Sequence, residues 1–327
     1  MEWPRRRSTH PAPRRLRIVV ASDIHGSDIC WKKFLNAGRF YKADVLVLAG
    51  DLTGKALVPL VEQAAGAYRA DFMGTDEVVS GAELEALEAR IRFNGFYPHR
   101  CTPEELDRLH VDRHERERIF TAAMRATAER WVEFADERLR GSGVRCLVMP
   151  GNDDELFIDE VLARSETIEN HDGRVVQLDG YRIIGHGWSN ETPWRTAREK
   201  PDAEIARDLE ALLETAGPGD PIILNPHVPP YDSGLDLAPE LRPDFSIVTT
   251  AGQPRMVPVG SRAVAEVIER YQPFLSLHGH IHESRGVVRL GATTAVNPGS
   301  EYNVGRLLGA IVDVEGARVR NVQLVAG

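Results

Sequence analysis

The stretch Val19-Val-Ala-Ser-Asp-Ile-His-Gly26 decides the fold prediction for this chain. In it, an apolar run ends abruptly in a carboxylate, Asp23, and an imidazole, His25. Successive side chains of an extended strand alternate between its two faces, so Asp23 and His25 can point to the same side at the end of a buried strand. An acidic residue and a histidine placed in this way can share one metal ion.

Four later fragments repeat this arrangement, because each follows an apolar run. They are Gly50-Asp51, Gly151-Asn152-Asp153-Asp154, His227 and Gly279-His280-Ile-His282. Each fragment alone has a plain structural explanation: Asp23 could cap a helix, Asp51 could open a turn, and His227 could be a core histidine with one hydrogen bond. Oxygen and imidazole ligands delivered repeatedly to strand ends indicate instead a binuclear metal site.

Composition and charge narrow the classes of protein to consider. A chain of 327 residues allows one large domain or two ordinary ones, and its net charge of -9 counts against a broad surface for nucleic acid or anionic membrane. No run approaches the length of a membrane span. Three widely spaced cysteines are too few for a disulfide framework, so we expect a cytoplasmic protein. Residues 1–15, basic and proline-rich without a signal-peptide core, predict a flexible tail.

Apolar periodicity predicts alternating strands and helices in the rest of the chain. Buried strands at 16–21 and 45–49 would deliver Asp23 and Asp51 to the same edge of a parallel sheet, where α/β proteins place their ligand sites. Further predicted features are a helix opening at Ser27, a strand at 146–149, a hairpin at 175–184, helices at 202–216 and 261–271, strands at 221–224 and 274–277, and antiparallel strands towards the end of the chain.

Residues 52–143 interrupt this rhythm, because an ordinary crossover between strands is much shorter. The pattern predicts a small hairpin within 68–79, a turn at 94–98, a helix capped by Thr102 and one long amphipathic helix over about 114–140. The apolar stripe of that helix is expected to pack against the body of the protein. Both ends of the insertion lie beside predicted ligands, which favours a cap over the metal site, although an assembly surface for a homodimer is the alternative.

The five fragments, in this order, resemble the signature of the calcineurin-like metallophosphoesterases: Asp-x-His, Gly-Asp, Gly-Asn-x-Asp, His and Gly-His-x-His. The resemblance runs from about residue 16 to residue 325 and leaves 52–143 outside the common core. It implies an α/β fold, a four-layer α-β-β-α sandwich of two mixed β-sheets flanked by helices. The expected organisation is a metallophosphoesterase domain at 16–327, interrupted by a mostly helical cap insertion at 52–143.

The resemblance also implies how the metal ligands divide. One ion would be held by Asp23, His25 and His282, the other by Asn152, His227 and His280, and Asp51 would bridge both. Such mixed ligands suit manganese, iron or zinc, and manganese is expected to serve best in vitro. Two ions about 3.5–4 Å apart lower the pKa of a bridging water toward about 7 and bind the phosphoryl oxygens while the resulting hydroxide attacks in line.

One position departs from the family pattern. Many members have a histidine directly after the Gly-Asn pair, where it is thought to assist the leaving group, but here the residue is Asp153. An ionised carboxylate cannot donate a proton and would repel a phosphate. Catalytic roles beside the metals are considered for Asp153 and Asp154. The missing acid or phosphate clamp is sought in two other segments, with His186 and Asn190 in the first and His99 and Arg100 in the second.

The function implied is metal-dependent hydrolysis of a small phosphate ester, either a monoester or a diester. Because all seven ligand positions carry suitable residues, an enzyme is favoured over a non-catalytic metal-binding scaffold of the same fold. A nuclease of the same family would need a basic channel, which the acidic balance disfavours. A protein phosphatase ranks lower still. No nucleic-acid or membrane partner is expected.

Overall fold

The computed structural model describes residues 14–327. The predicted tail lies outside the described residues apart from Arg14 and Arg15, which are exposed. Within the described chain, no helix combines the length and apolarity that a membrane crossing needs. The three cysteines, Cys30, Cys101 and Cys146, are buried and unpaired.

The described chain contains twenty strands and seven α-helices. The strands are β1 Leu16–Ala21, β2 Val45–Ala49, β3 Leu57–Glu62, β4 Tyr68–Phe72, β5 Thr75–Val79, β6 Tyr97–Cys101, β7 Arg145–Met149, β8 Ile168–Asn170, β9 Val175–Leu178, β10 Tyr181–His186, β11 Ile222–Pro226, β12 Leu237–Pro239, β13 Thr249–Thr250, β14 Gln253–Pro254, β15 Met256–Pro258, β16 Leu275–Leu277, β17 Gly286–Leu290, β18 Thr293–Asn297, β19 Leu308–Val314 and β20 Val319–Ala326. The α-helices are α1 Asp28–Phe40, α2 Gly81–Phe93, α3 Pro103–Val111, α4 Arg113–Leu139, α5 Ile158–Leu162, α6 Asp202–Ala216 and α7 Arg262–Tyr271.

Two six-stranded sheets form the centre of the protein. The first has the order β20-β19-β1-β2-β7-β8 and the second the order β17-β18-β16-β11-β10-β9. In the first sheet, β1, β2, β7 and β8 run parallel and β19 joins β1 antiparallel. In the second, β10, β11, β16 and β18 run parallel, with antiparallel strands at both edges. Both sheets are therefore mixed, as predicted.

The layers follow from which faces are apolar. Side chains such as Val47 and Leu147 of the first sheet pack against Ile183 and Leu275 of the second, so the sheets lie face to face. Helices α1, α4 and α5 cover the outer face of the first sheet. Helices α6 and α7 cover the outer face of the second. The prediction of a four-layer α-β-β-α sandwich is confirmed.

Local sequence signals explain several element boundaries. Ser27 is the N-cap of α1, and its hydroxyl accepts a hydrogen bond from the backbone N–H of Cys30. Asp23 is therefore not the cap of this helix, which removes its plain structural explanation. The hairpin of β9 and β10 turns at Asp179 and Gly180, both with positive φ, as a two-residue turn of this kind requires.

The insertion at 52–143 has a sheet and a core of its own. Helices make up much of it, but β3 to β6 form a four-stranded sheet in the order β5-β4-β3-β6. Its apolar residues, including Leu60, Phe72 and Leu87, form a separate cluster. The sequence predicted the β4–β5 hairpin, the Thr102 cap and α4, but not β3 or β6. The predicted turn at 94–98 is shorter, because Tyr97 already begins β6.

The long helix α4 fastens the insertion to the sandwich. Trp131 stacks on Trp31 of α1 with 5.2 Å between ring centroids. The indole N–H of Trp31 donates to the Trp131 carbonyl at 3.1 Å, and that of Trp131 donates to Asp28 at 2.6 Å. The predicted packing of the apolar stripe against the body is confirmed for Trp131, Phe134 and Leu139, whereas Phe120 and Met124 line a cleft.

Candidate metal centre

Five buried strands end at one place between the two sheets. Asp23, Asp51 and Asn152 follow β1, β2 and β7 of the first sheet, while His227 follows β11 of the second sheet and His280 follows β16. The two sets of loops are bonded to each other, because the Asp23 carboxylate accepts hydrogen bonds from the backbone N–H of His280 at 3.0 and 3.1 Å. The strand ends thus bring together side chains that are far apart in the chain.

One group of ligand atoms consists of Asp23, His25 and His282. These atoms lie within 4.8 Å of one another. The Nε2 atoms of His25 and His282 are 3.0 Å apart, and Nε2 of His282 is 3.5 Å from Oδ1 of Asp23. Two ring nitrogens and a carboxylate oxygen that converge in a buried place match the donor set of a divalent metal.

A second group consists of Asn152, His227 and His280. The Asn152 amide NH₂ donates to Thr196 Oγ1 at 2.8 Å, so its Oδ1 faces the imidazoles. That oxygen lies 3.1 Å from Nε2 of His227 and 2.7 Å from Nδ1 of His280. The group therefore offers one amide oxygen and two ring nitrogens, the mixed set that the sequence predicted.

Asp51 lies between the two groups. Its Oδ2 is 3.6 Å from Nε2 of His25 in the first group and 3.5 Å from Nε2 of His227 in the second. Oδ1 of Asp23 also lies near both sets, 3.9 Å from Nε2 of His25 and 4.0 Å from Nε2 of His227, but Asp51 is closer to each ring. Asp51 is thus close to an imidazole of each group.

The backbone around these residues is strained. Asp23, His25, Asp51 and His280 all have positive φ, between 37° and 67°. Residues other than glycine rarely adopt this backbone conformation, and each such residue costs about 1–3 kcal/mol. Such strain is concentrated at functional sites in proteins, because only a structure that holds the residues from several sides maintains it.

Burial and neighbouring charges set the protonation of the imidazoles. Burial lowers the pKa of His280 to about 3 and, helped by the Lys55 charge, lowers that of His25 well below its usual value. Both rings are therefore neutral, as metal ligands must be. Burial acts in the same direction on His227, but the Asp51 carboxylate outweighs it and raises the pKa to about 10. The environment between the Asp51 carboxylate and the His227 ring thus favours a positive charge, which a metal cation would supply.

His227 is also held in the orientation that a ligand needs. Its Nδ1–H donates to the backbone carbonyl of Ala49 at 2.7 Å, which leaves Nε2 free to face Asp51 and Asn152. A hydrogen bond of this kind from the second ring nitrogen is typical of metal-binding histidines.

The predicted catalytic role of Asp154 does not fit its surroundings. Its carboxylate is fully buried and accepts hydrogen bonds from the backbone N–H groups of Gly151, Leu52 and Thr53 and from the Thr53 hydroxyl. With these donors around it, Asp154 joins the loop after Asp51 to the loop before Asn152. Asp154 therefore holds these two loops together and has no exposed surface.

Three other predicted candidates pair with acidic residues and do not line the cleft over the cluster. Nε2 of His186 is 3.4 Å from Asp208, and the ring is buried. Arg100 pairs with Glu88 at 2.6 Å and lies over the Tyr68 ring, within the sheet of the insertion. His99 lies 3.4 Å from Glu105. The structure therefore corrects the expectation that His186, His99 or Arg100 replaces the missing histidine.

Asp153 does reach the site. Its backbone N–H donates to Oδ1 of Asp51 at 2.9 Å, and its Oδ2 lies 3.7 Å from Nδ1 of His25. The same Oδ2 lies 2.9 Å from Nζ of Lys55, a residue the sequence analysis missed. Burial opposes the charge on Lys55, but Asp153 and Asp51 outweigh it and raise the lysine pKa above its usual value. Its place four residues after Asp51 was the one signal that could have indicated it.

The turn at Asn297-Pro-Gly-Ser300 supports the ligand loops from the C-terminal side. The Asn297 amide donates to the carbonyls of Gly279 and Ile281, which flank His280. The Ser300 hydroxyl donates to the Asp23 carbonyl at 2.6 Å. Tyr302, a second residue without a sequence signal, lies over the His25 ring with 4.7 Å between centroids.

A cleft of about 1260 Å³ opens over the cluster. Asp51, Asn152, Asp153, His280 and His282 line it at one side. The insertion contributes Lys55 and, from α4, Phe120 and Met124. The opposite wall comes from the loop at 190–197, which includes Asn190 and the exposed Trp194, and from the segment at 231–260.

Comparisons with known proteins give relatives of this chain but no function. No family model matches it. Uncharacterized protein MJ1162 of Methanocaldococcus jannaschii is 31% identical over 155 residues, which are 46% of this chain and 62% of that protein. The match thus spans less than two thirds of the curated relative's length.

Solved structures show the fold. TT1561 of Thermus thermophilus has a TM-score of 0.54 at 16% sequence identity, over 95% of this chain and 99% of its own. Yfce, a phosphoesterase from E. coli, aligns over 94% of this chain and 98% of its own with a TM-score of 0.31 at 11% identity, a likeness too distant to bear on function. The architecture and the buried Asp/His cluster match what the motifs implied. The chain resembles the calcineurin-like metallophosphoesterases.

Proposed function

We propose that this chain is a calcineurin-like metallophosphoesterase, a hydrolase that cleaves small organic phosphate esters with two divalent metal ions. The observation that carries the proposal is the position of Asp51, whose Oδ2 lies 3.6 Å from His25 and 3.5 Å from His227. A carboxylate between two separate sets of imidazoles is what a pair of metal ions requires and what a packed core does not.

The residues present fit two ions. Asp23, His25 and His282 would hold one, Asn152, His227 and His280 the other, and Asp51 would contact both. Manganese, iron and zinc suit this mixture of oxygen and nitrogen ligands. Two such ions supply an activated water as nucleophile and stabilise the charge that develops on a phosphoryl group.

The protein's own groups would orient the ester and shape its surroundings. The backbone donors around Asp154 fix the two loops that carry Asp51 and Asn152. The insertion closes one side of the cleft through Phe120 and Met124, so we propose it as a side wall for the substrate. The packing of Trp131 on Trp31 favours a fixed wall over a swinging lid.

The cleft favours an organic ester over free polyphosphate. Its lining includes the exposed apolar side chains Leu156, Trp194 and Ile247, together with acidic residues such as Glu155 and Glu191. Apolar surface of this kind binds carbon groups and leaves little for a highly charged chain. Its volume also admits an ester well beyond the size of inorganic phosphate.

A substrate panel tests the proposal. Chelator-treated protein would be reloaded with manganese, iron or zinc and assayed with aryl and alkyl phosphomonoesters, diesters, nucleotides and pyrophosphate. We expect hydrolysis of at least one organic ester, lost on chelation and restored by metal. Asp23→Asn should abolish hydrolysis. Asp313→Asn should not, because Asp313 is a buried residue that pairs with Arg17 in the first sheet. Bound metal without turnover of any ester would favour the scaffold alternative.

A further inference from the structure

The charge at the mouth of the cluster is unusual for a phosphate site. Asp153 lines the cleft directly after the ligand Asn152, and its Oδ2 lies 3.7 Å from the His25 ring. An uncompensated carboxylate in this place would repel the phosphoryl oxygens of an ester approaching the metals. A cation next to Asp153 therefore matters for any anionic substrate.

Lys55 provides that cation. Its Nζ lies 2.9 Å from Oδ2 of Asp153, while about half of its side chain, 48%, remains exposed. An ammonium group has three donors, and its ion-pair contact in the described structure is with Asp153. Lys55 lines the same cleft as His280 and His282. Its remaining donors are thus available on the side where an ester would meet the cluster.

The other cations of the cleft are placed differently. Among the described lining residues, the lysines and arginines are Lys55, Arg195 and Arg262. Arg262 lies on the Tyr231 ring, 3.8 Å from its centroid, and Arg195 belongs to the exposed loop of the opposite wall. Lys55 alone of the three is paired with a residue that also approaches a ligand imidazole.

We propose that Lys55, held in position by Asp153, binds a non-bridging oxygen of the phosphate group while the ester occupies the metal cluster. This inference rests on the proposed function for its substrate, because it assigns one contact within that site. It gives Asp153 a positioning role: the carboxylate orients the lysine ammonium. The pair would take the place of the histidine that many calcineurin-like metallophosphoesterases have at the position of Asp153.

The simpler alternative is that Lys55 only neutralises Asp153. A double-mutant cycle separates the two cases. If Lys55 only neutralises Asp153, the double variant Lys55→Met with Asp153→Asn, which lacks both charges, should regain the phosphate affinity that Lys55→Met alone loses. If Lys55 contacts the phosphate itself, the double variant should stay as weak as Lys55→Met.

The experiment measures the binding of inorganic phosphate to manganese-loaded protein by calorimetry, with metal content checked for every variant. A hydrogen bond to a charged group predicts that Lys55→Met weakens phosphate binding by about tenfold to a hundredfold. Lys55→Arg should recover most of this loss, since it keeps the charge. Lys32→Met, which removes an exposed lysine of α1 outside the cleft, is the matched control and should bind phosphate as the wild type does.

The outcomes separate this inference from the proposed function. Three results would each overturn the role of Lys55. They are unchanged phosphate binding in Lys55→Met, wild-type binding in the double variant, and no phosphate binding by the manganese-loaded wild type. Lys55-dependent phosphate binding in a protein that hydrolyses no ester of the panel would instead leave the inference standing and refute the proposed function.

Discussion

Gly151 lies so close to Asp51 that a side chain at residue 151 would overlap the Asp51 carboxylate. A Cβ built on Gly151 would meet Oδ1 of Asp51 and would lie 2.8 Å from Nε2 of His227. The glycine that precedes Asn152 is thus required by the packing of two proposed ligands, and not by a turn.

The first prediction concerns this contact. Gly151→Ala should displace Asp51 or His227 and lower bound metal, and a shift of about 1 Å is enough to reduce turnover about a hundredfold. Metal analysis and steady-state kinetics measure both effects. Gly286→Ala is the control, because a Cβ there would meet only the end of the Leu235 side chain at 3.1 Å. Full metal content and activity in Gly151→Ala would show that the cluster tolerates the displacement.

The second prediction concerns the leaving group. Asp153 stands where a proton donor is expected, and an ionised carboxylate cannot protonate a departing alkoxide. Aryl phosphates, whose leaving groups need little protonation, should therefore be cleaved far faster than alkyl phosphates. Equal rates for matched aryl and alkyl esters would mean that another group supplies the proton. Asp153→His should narrow the difference between the two.

The third prediction concerns acid stability and involves a histidine outside the cluster. His171 is fully buried, its Nε2 lies 2.8 Å from Oδ1 of Asn225, and burial lowers its pKa below 6.5. The folded state thus holds His171 neutral, while the unfolded state protonates it below about pH 6.5. The contribution to stability is complete above that pH and is lost as the pH falls.

Urea unfolding of chelator-treated protein at pH 7.5 and pH 5.5 measures this loss. The free energy of unfolding should fall less between the two pH values in His171→Gln than in the wild type. His114→Gln, an exposed position on α4, should leave the wild-type difference unchanged. An identical fall in wild type and His171→Gln would exclude His171 as the cause.

The fourth prediction concerns the attachment of the insertion. Trp131 is 6% exposed and stacks on Trp31, so Trp131→Ala should lower the free energy of unfolding by about 3–5 kcal/mol. Urea denaturation followed by circular dichroism gives the value. Phe40→Ala, which removes an aromatic side chain that is 77% exposed, should have little effect. A small loss in Trp131→Ala would indicate that the insertion is held to the sandwich elsewhere.

The family resemblance implied the sandwich, whereas the grouping of ligands at strand ends could be predicted from the residues because its signals are local. Asp23, Asp51 and His227 each follow a strongly apolar strand, and the ends of parallel strands meet at one edge whatever the loops between them do. This rule brings together the ligands within each sheet, whereas the meeting of the two sets depends on the packing of one sheet against the other.

The sheet of the insertion was not predictable in the same way. Pro59 lies inside β3, and a proline counts against a strand unless its neighbours are known. The direction of Arg100 depends on the pairing of β6 with β3, which turns its side chain toward Glu88 and Tyr68. A phosphate clamp at Arg100 was a reasonable hypothesis from residue type, but tertiary pairing decides where the side chain points.

The charge around Asp153 could not be predicted from the sequence either, because it depends on the pairing of this residue with Lys55. Asp153 in isolation indicated repulsion of a phosphate, and the lysine that compensates it lies in a loop without apolar periodicity. Only the fold brings the loop after β2 against the loop after β7. Composition could give the overall acidic balance but not this local pairing.

The central claim is that the cluster holds two divalent ions bridged by Asp51, and metal stoichiometry tests it most directly. Wild-type protein stripped with chelator, reconstituted with excess manganese and freed of unbound metal should retain two ions per chain by elemental analysis. Asp51→Asn should retain fewer, while Asp313→Asn should match the wild type. A wild-type protein that retains no metal after this treatment would contradict the account.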